Sequence, residues 1–216
     1  MKPVSLQVAL LASLLAIAFS GAGRAADTST TAISARDLQA KLQYCTSCHQ
    51  RSGQGYRGST AIPRLAGQQT EYFENQLQAF VELRRYNDYM FKVVHGLSPS
   101  MRTALAAHFR DLNPKPYGGA PRELVALGKK LYEEGVASAN IPPCAACHGP
   151  EAKGNGVMPR LAGQVYAYTR KALGNWGKER GQDPAKPDTS AIMQPIAHSL
   201  TESQISAVAA YLAYLE

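Results

Sequence analysis

Cys45-Thr46-Ser47-Cys48-His49 recurs as Cys144-Ala145-Ala146-Cys147-His148, and this pair of pentapeptides decides how the rest of the chain is read. Moving outward, Pro63-Arg64-Leu65-Ala66-Gly67-Gln68 returns residue for residue as Pro159-Arg160-Leu161-Ala162-Gly163-Gln164. Tyr72, Leu77 and Arg84 match Tyr168, Leu173 and Arg180, and Met90, His95 and Leu97-Ser98 match Met193, His198 and Leu200-Thr201. Over that span the offset between copies grows from 96 to 103, so the second copy holds seven extra residues around Gly181 to Ser190, rich in Pro, Asp and Lys, which read as a loop. A unit written twice implies two domains in tandem.

The join lies in Asn113 to Pro121, whose prolines and glycines cannot continue a helix. The expected division is a signal segment at 1–25, a first domain at 26–115, a linker at 116–121 and a second domain at 122–216. Residues 1–25 carry a basic start at Lys2, an apolar run from Val4 to Phe19 and a small-residue stretch before Ala26, the pattern of a cleaved export signal. The apolar run contains Ser5, Gln7 and Ser13 and is short for a span needing about 20 apolar residues, so an uncleaved anchor is the weaker alternative. Both put the folded part in the periplasm.

Helical periodicity dominates the mature part. Glu123 to Glu134 keeps Leu124, Leu127, Leu131 and Tyr132 on one stripe, and Ser203 to Leu215 does the same with Ile205, Val208, Leu212 and Leu215. Glu71 to Leu83 repeats the pattern through Tyr72, Phe73, Leu77 and Phe80. Ser98 and Thr201 are expected to cap the helices that follow them. Nothing alternates with period two between hairpin turns, so the fold class is all-α.

The chain carries a formal net charge of +7, which falls to +5 without Lys2 and Arg24. Most of that excess precedes Gly119. Basic runs interleaved with aromatics, the footprint of a nucleic-acid binder, are absent, so no nucleic-acid partner is expected.

Cys-x-x-Cys-His is the attachment signature of c-type haem. Two cysteines three apart lie on one side of a helical turn, so both sulfurs can form thioethers to the haem vinyl carbons while the adjacent histidine meets the iron. Two covalently bound haems follow, through Cys45 and Cys48 with His49, and through Cys144 and Cys147 with His148. The rival chemistries are one four-cysteine zinc site or a redox dithiol. Zinc gives no reason for a histidine after the second cysteine in both copies, and a dithiol gives none for the duplication.

Repetition also sorts the donors available on the far side of each iron. Met101, Met158 and His108 have no counterpart in the other copy, whereas Met90 and Met193 match, each ahead of an equivalent C-terminal helix. A methionine is ordinarily core filler, and His95 and His198 repeat five residues later as competing ligands. Met90 and Met193 are the expected sixth ligands, and His/Met ligation raises the reduction potential.

These residues together resemble the dihaem cytochrome c4 family, two class I cytochrome c domains in tandem. The matching pieces are both Cys-x-x-Cys-His motifs, both Pro-Arg-Leu-Ala-Gly-Gln segments, Tyr72 with Gln76-Leu77, Arg84 with Asn87, Met90 before Leu97-Ser98, and Gly128 to Tyr132 ahead of the second haem motif. The resemblance implies that the carbonyls of Pro63 and Pro159 hold the rings of the haem-ligating histidines, a task that an ordinary loop proline would not have. It implies a periplasmic one-electron carrier and not an enzyme, often membrane-associated. Its donor would be a quinol-oxidising complex or a dehydrogenase, and its acceptor a haem-copper terminal oxidase. The alternatives are the dihaem electron-accepting subunit of a periplasmic dehydrogenase, such as a flavoprotein oxidising sulfide, and a dihaem peroxidase. Gln50 where the family commonly has Gly, Glu82-Leu83 before Arg84, and the 181–190 insertion depart from the family pattern.

Overall fold

A computed structural model describes residues 33–180 and 189–216. The expected signal segment and most of the expected 181–190 loop lie outside the described residues. The described residues form one compact unit. Ten α-helices occur among the described residues, with no named strand and only isolated bridges.

In the first half, α1 (Ala35–His49) runs straight into the first Cys-x-x-Cys-His motif, and Ser34 caps it by accepting from Asp37 N–H. Helices α2 (Thr70–Val81), α3 (Asp88–Val94) and α4 (Pro99–Arg110) follow. Ser98 caps α4 as expected, with Pro99 at the first helical position, where its missing N–H costs nothing. Leu42, Phe73, Leu77, Phe80, Val94, Leu97, Leu105 and Phe109 make the buried core, and Phe73 stacks on Phe109 with ring centroids 5.6 Å apart.

The second half opens with a 3₁₀ turn (Arg122–Leu124) and α5 (Val125–Glu134). Then come α6 (Ala145–His148), α7 (Tyr166–Gly174), α8 (Trp176–Glu179), α9 (Ser190–Ser199) and α10 (Glu202–Leu212). Thr201 closes a capping box with Gln204, which fixes where α10 begins. Tyr132, Val208, Tyr211 and Leu212 centre this core. Here the motif does not prolong the first helix. Gly135, at φ +71°, ends α5, and a bridge between Val136 and Ile141 brings the chain back to Cys144.

The backbone connections that follow each motif match in the two halves. Gly55 N–H donates to His49 O, as Gly154 N–H does to His148 O. Leu65 and Ala66 both donate to Gly53 O, and Leu161 and Ala162 both donate to Ala152 O. Gly67 N–H reaches Phe109 O at the end of α4, and Gly163 N–H reaches Leu212 O at the end of α10. The loop after each motif is thereby tied to the end of the last long helix of its half.

The breaker-rich stretch between the halves is strapped down along its length. Arg64 Nη1 donates to Pro114 O, Gln54 to Lys115 O, Tyr117 Oη to Gln50 Oε1, and Tyr214 Oη to Ala120 O.

Candidate functional site

Each half carries its motif with the histidine turned inward. His49 and His148 are buried, and the Nδ1–H of each donates to the expected proline carbonyl: Pro63 O at 2.9 Å and Pro159 O at 3.0 Å. That bond fixes the tautomer and leaves Nε2 free of its proton. Burial holds both imidazoles below the ordinary histidine range, with the proline carbonyls opposing in part. A neutral ring is the form that binds a metal.

The four cysteines form no disulfide. Cys45 and Cys144 are half-buried beside their cores, and burial pushes both thiols up, while Cys48 and Cys147 are exposed. The two pairs therefore belong to different cores. Among the described residues, no three His, Cys, Asp or Glu side chains stand together as a metal cluster, so the four sulfurs are not gathered into a zinc site.

The donor set fits two haems: two thiols and one oriented neutral imidazole in each half. Arg160 Nη2 adds a buried cationic donor with no hydrogen-bond partner among the described residues, chemistry that suits a haem carboxylate. Met90 is half-buried against the first core at the start of α3, where Asn87 caps the helix by accepting from Met90 N–H. Met193 is half-buried within α9. The competing side chains face outward, since His95 and His198 are both exposed, and the His95 ring lies 5.1 Å from that of Phe91.

Gln50 was the departure from family pattern directly after the first motif. It adopts φ +65° and ψ 156°, a conformation suited to glycine, as Gly149 does at φ +78° and ψ 160°. Such strain costs on the order of 1–3 kcal/mol and persists where surroundings hold it. Here Gly53 N–H donates to Gln50 O at 2.8 Å and Tyr117 Oη donates to Gln50 Oε1 at 2.7 Å.

What sequence reasoning missed is how the two halves meet. Gln164 of the second half accepts from Arg64 N–H at 2.7 Å and donates to Arg64 O at 3.1 Å, while Gln68 of the first accepts from Arg160 N–H at 2.8 Å and donates to Arg160 O at 3.2 Å. The repeated six-residue segments thus clasp each other reciprocally. A second, unsymmetrical cluster adds Arg85, which donates to Gln76 Oε1 and Tyr168 Oη, and Arg180, which donates to the same Gln76 oxygen. Burial alone would raise the Tyr168 hydroxyl, but the guanidiniums of Arg85 and Arg180 bring it below its usual value. In sequence Arg84 matches Arg180, yet Arg85 turns into this interface and Arg84 pairs with Glu82 at 2.7 Å.

The cytochrome c family model matches residues 125–216. The chain is 35% identical over 176 residues to cytochrome c4 of Thiocapsa roseopersicina, covering 78% of this chain and 85% of that protein. The chain belongs to the cytochrome c4 family. A cytochrome c4 structure from Acidithiobacillus ferrooxidans superposes with a TM-score of 0.69 at 34% identity, over 80% of this chain and 99% of that one. Another relative, from Thiomonas intermedia, is named a thiosulfate dehydrogenase electron acceptor and is 35% identical over 78% of this chain and 77% of its own length.

As a cytochrome c4 the chain folds as tandem class I cytochrome c domains and carries two covalently bound haem c groups at Cys45/Cys48 and Cys144/Cys147. Its family consists of electron carriers that act as redox partners. Among the described residues, no helix is long and apolar enough to cross a membrane.

Proposed function

We propose that this cytochrome c4 is a periplasmic carrier that takes single electrons from a quinol-oxidising complex or dehydrogenase and delivers them to a haem-copper terminal oxidase. His49 and Met90 would hold the iron of one haem, and His148 and Met193 that of the other. The carrying observation is the matched pair of buried imidazoles, each donating through Nδ1–H to its proline carbonyl. Bound in this setting, haem supplies a reversible ferric–ferrous couple, and a sixth ligand leaves no open position for substrate chemistry.

The protein's part is orientation and exclusion of water. Pro63 and Pro159 hold the rings, the surrounding cores keep the sites apolar, and the reciprocal Gln68 and Gln164 bonds keep the halves together. Residues 26–115 and 122–216 are the two haem domains and 116–121 the linker, a division supported by cores that draw on residues 33–112 and 125–215. Export is supported by the pattern of residues 1–25.

A second reading has its own support. Relatives named thiosulfate dehydrogenase electron acceptors favour service as the electron-accepting partner of a periplasmic dehydrogenase acting on reduced sulfur compounds.

Oxygen uptake by membranes that contain a haem-copper oxidase, supplied with the reduced protein, tests the first reading. Turnover should saturate with the cytochrome and fall as salt rises, because the net charge without residues 1–25 is +5 and screening at about 0.15 M ionic strength acts over about 8 Å. No oxidase turnover, together with a stable complex with a dehydrogenase, would favour the second reading.

A further inference from the structure

We infer that Gln164 tunes the haem of the first half and Gln68 that of the second, each acting across the interface through a single peptide bond; this rests on the proposed histidine ligation. The peptide joining Pro63 to Arg64 is hydrogen-bonded at both ends. Its carbonyl accepts from His49 Nδ1 at 2.9 Å, and its N–H donates to Gln164 Oε1 at 2.7 Å. The peptide joining Pro159 to Arg160 repeats the arrangement, accepting from His148 Nδ1 at 3.0 Å and donating to Gln68 Oε1 at 2.8 Å. Each glutamine is therefore one amide away from the histidine of the other half.

Both glutamines are buried and their geometry is closely set. Gln164 Oε1 also takes Val165 N–H at 2.9 Å and Nε2 donates to Arg64 O. Gln68 Oε1 also takes Gln69 N–H at 3.0 Å and Nε2 donates to Arg160 O. Hydrogen bonds in series polarise one another, most effectively away from water. An acceptor on the amide N–H draws electron density toward the carbonyl oxygen, which then pulls harder on the Nδ1 proton. The imidazole becomes a stronger donor, and outer partners of this kind tune a bound metal. A more basic imidazole favours the oxidised state, so the glutamine lowers the potential of the haem in the opposite half.

A purely adhesive role predicts something different. Loosening the clasp would disturb both halves, whereas tuning acts crosswise. Gln68 and Gln164 are thus positioning residues whose effect appears on the other half's haem.

The test uses the full chain with both haems bound. Potentials are read site by site from redox-dependent NMR signals of the backbone amides at 45–49 and 144–148. Gln164→Met, which keeps the volume and removes the acceptor, should raise the potential at 45–49 and leave that at 144–148 unchanged. Gln68→Met should do the reverse. Gln164→Glu, which keeps an acceptor and adds negative charge, should lower the potential at 45–49, and it carries the test if the Met variant does not fold. Equal shifts at both haems, a shift on the glutamine's own side, or no shift would overturn the inference. Loss of low-spin ferric haem at 45–49 in the unsubstituted protein would overturn the ligation reading instead.

Discussion

Gly128 in α5 lies against the main-chain carbonyl of Ala207 in α10, so closely that a Cβ at position 128 would stand 2.0 Å from that oxygen. The long helices α5 and α10 of the second half cross at this point, and Val208, Tyr211 and Leu212 of α10 pack with Tyr132 of α5 in the core beneath them.

Helix propensity alone says that Gly128→Ala should stabilise by about 1 kcal/mol. The crossing says otherwise. Main chain cannot swing aside as a flexible side chain can, and overpacking costs about 1–3 kcal/mol. The variant should unfold at lower denaturant than the unsubstituted protein, with an unchanged denaturant slope. A higher midpoint would mean that the helices do not meet at Gly128.

Tyr132 gives a pH dependence with a definite sign. Its hydroxyl donates to Gly149 O at 2.5 Å, directly after the second haem motif, and burial holds its pKa well above the ordinary tyrosine value. For an acid whose folded pKa is raised, the stabilising contribution is complete below the unfolded value of about 10 and is lost as pH rises beyond it. Tyr132→Phe should cost about 1–2 kcal/mol at pH 8, by leaving the Gly149 carbonyl without its donor. That deficit should shrink as pH passes 10. Denaturant midpoints of both proteins across that range decide it, and a constant difference would contradict the assignment.

The axial assignment separates two pairs of side chains. Met90 is half-buried against the first core, while His95 is exposed beside Phe91. Met90→Ala should abolish one haem's sulfur-to-iron charge-transfer band, lower that haem's potential and admit cyanide more readily. Potentials fall because neutral thioether sulfur favours ferrous iron more than the donors that would replace it. His95→Gln and His198→Gln should leave both bands intact. Loss of low-spin character in the histidine variants would mean bis-histidine ligation.

Much of this architecture is legible in the duplication. The haem motifs, the caps at Ser98 and Thr201 and the three long amphipathic helices follow from local chemistry, which sequence records directly, whereas the role of the Pro63 and Pro159 carbonyls came from the resemblance to the family. The meeting of the halves does not. Gln68 and Gln164 return in identical segments, but a polar residue after Ala-Gly reads as loop surface until the fold brings each one to the opposite arginine. The one available signal was that a six-residue segment recurs without change where the neighbouring loops diverge. Arg85 was hidden for a related reason: alignment matches Arg84 to Arg180, and only the turn after α2, with Leu83 at φ +57°, decides which arginine faces inward.

A redox titration of the purified protein followed by optical spectra most directly distinguishes a one-electron carrier with two histidine- and methionine-ligated haems from a bis-histidine protein or a peroxidase. The expected result is two one-electron steps, two haems per chain, and a sulfur-to-iron charge-transfer band on both ferric sites that does not yield to peroxide. A single step from one haem, a site lacking that band, or a high-spin site that binds peroxide would contradict it.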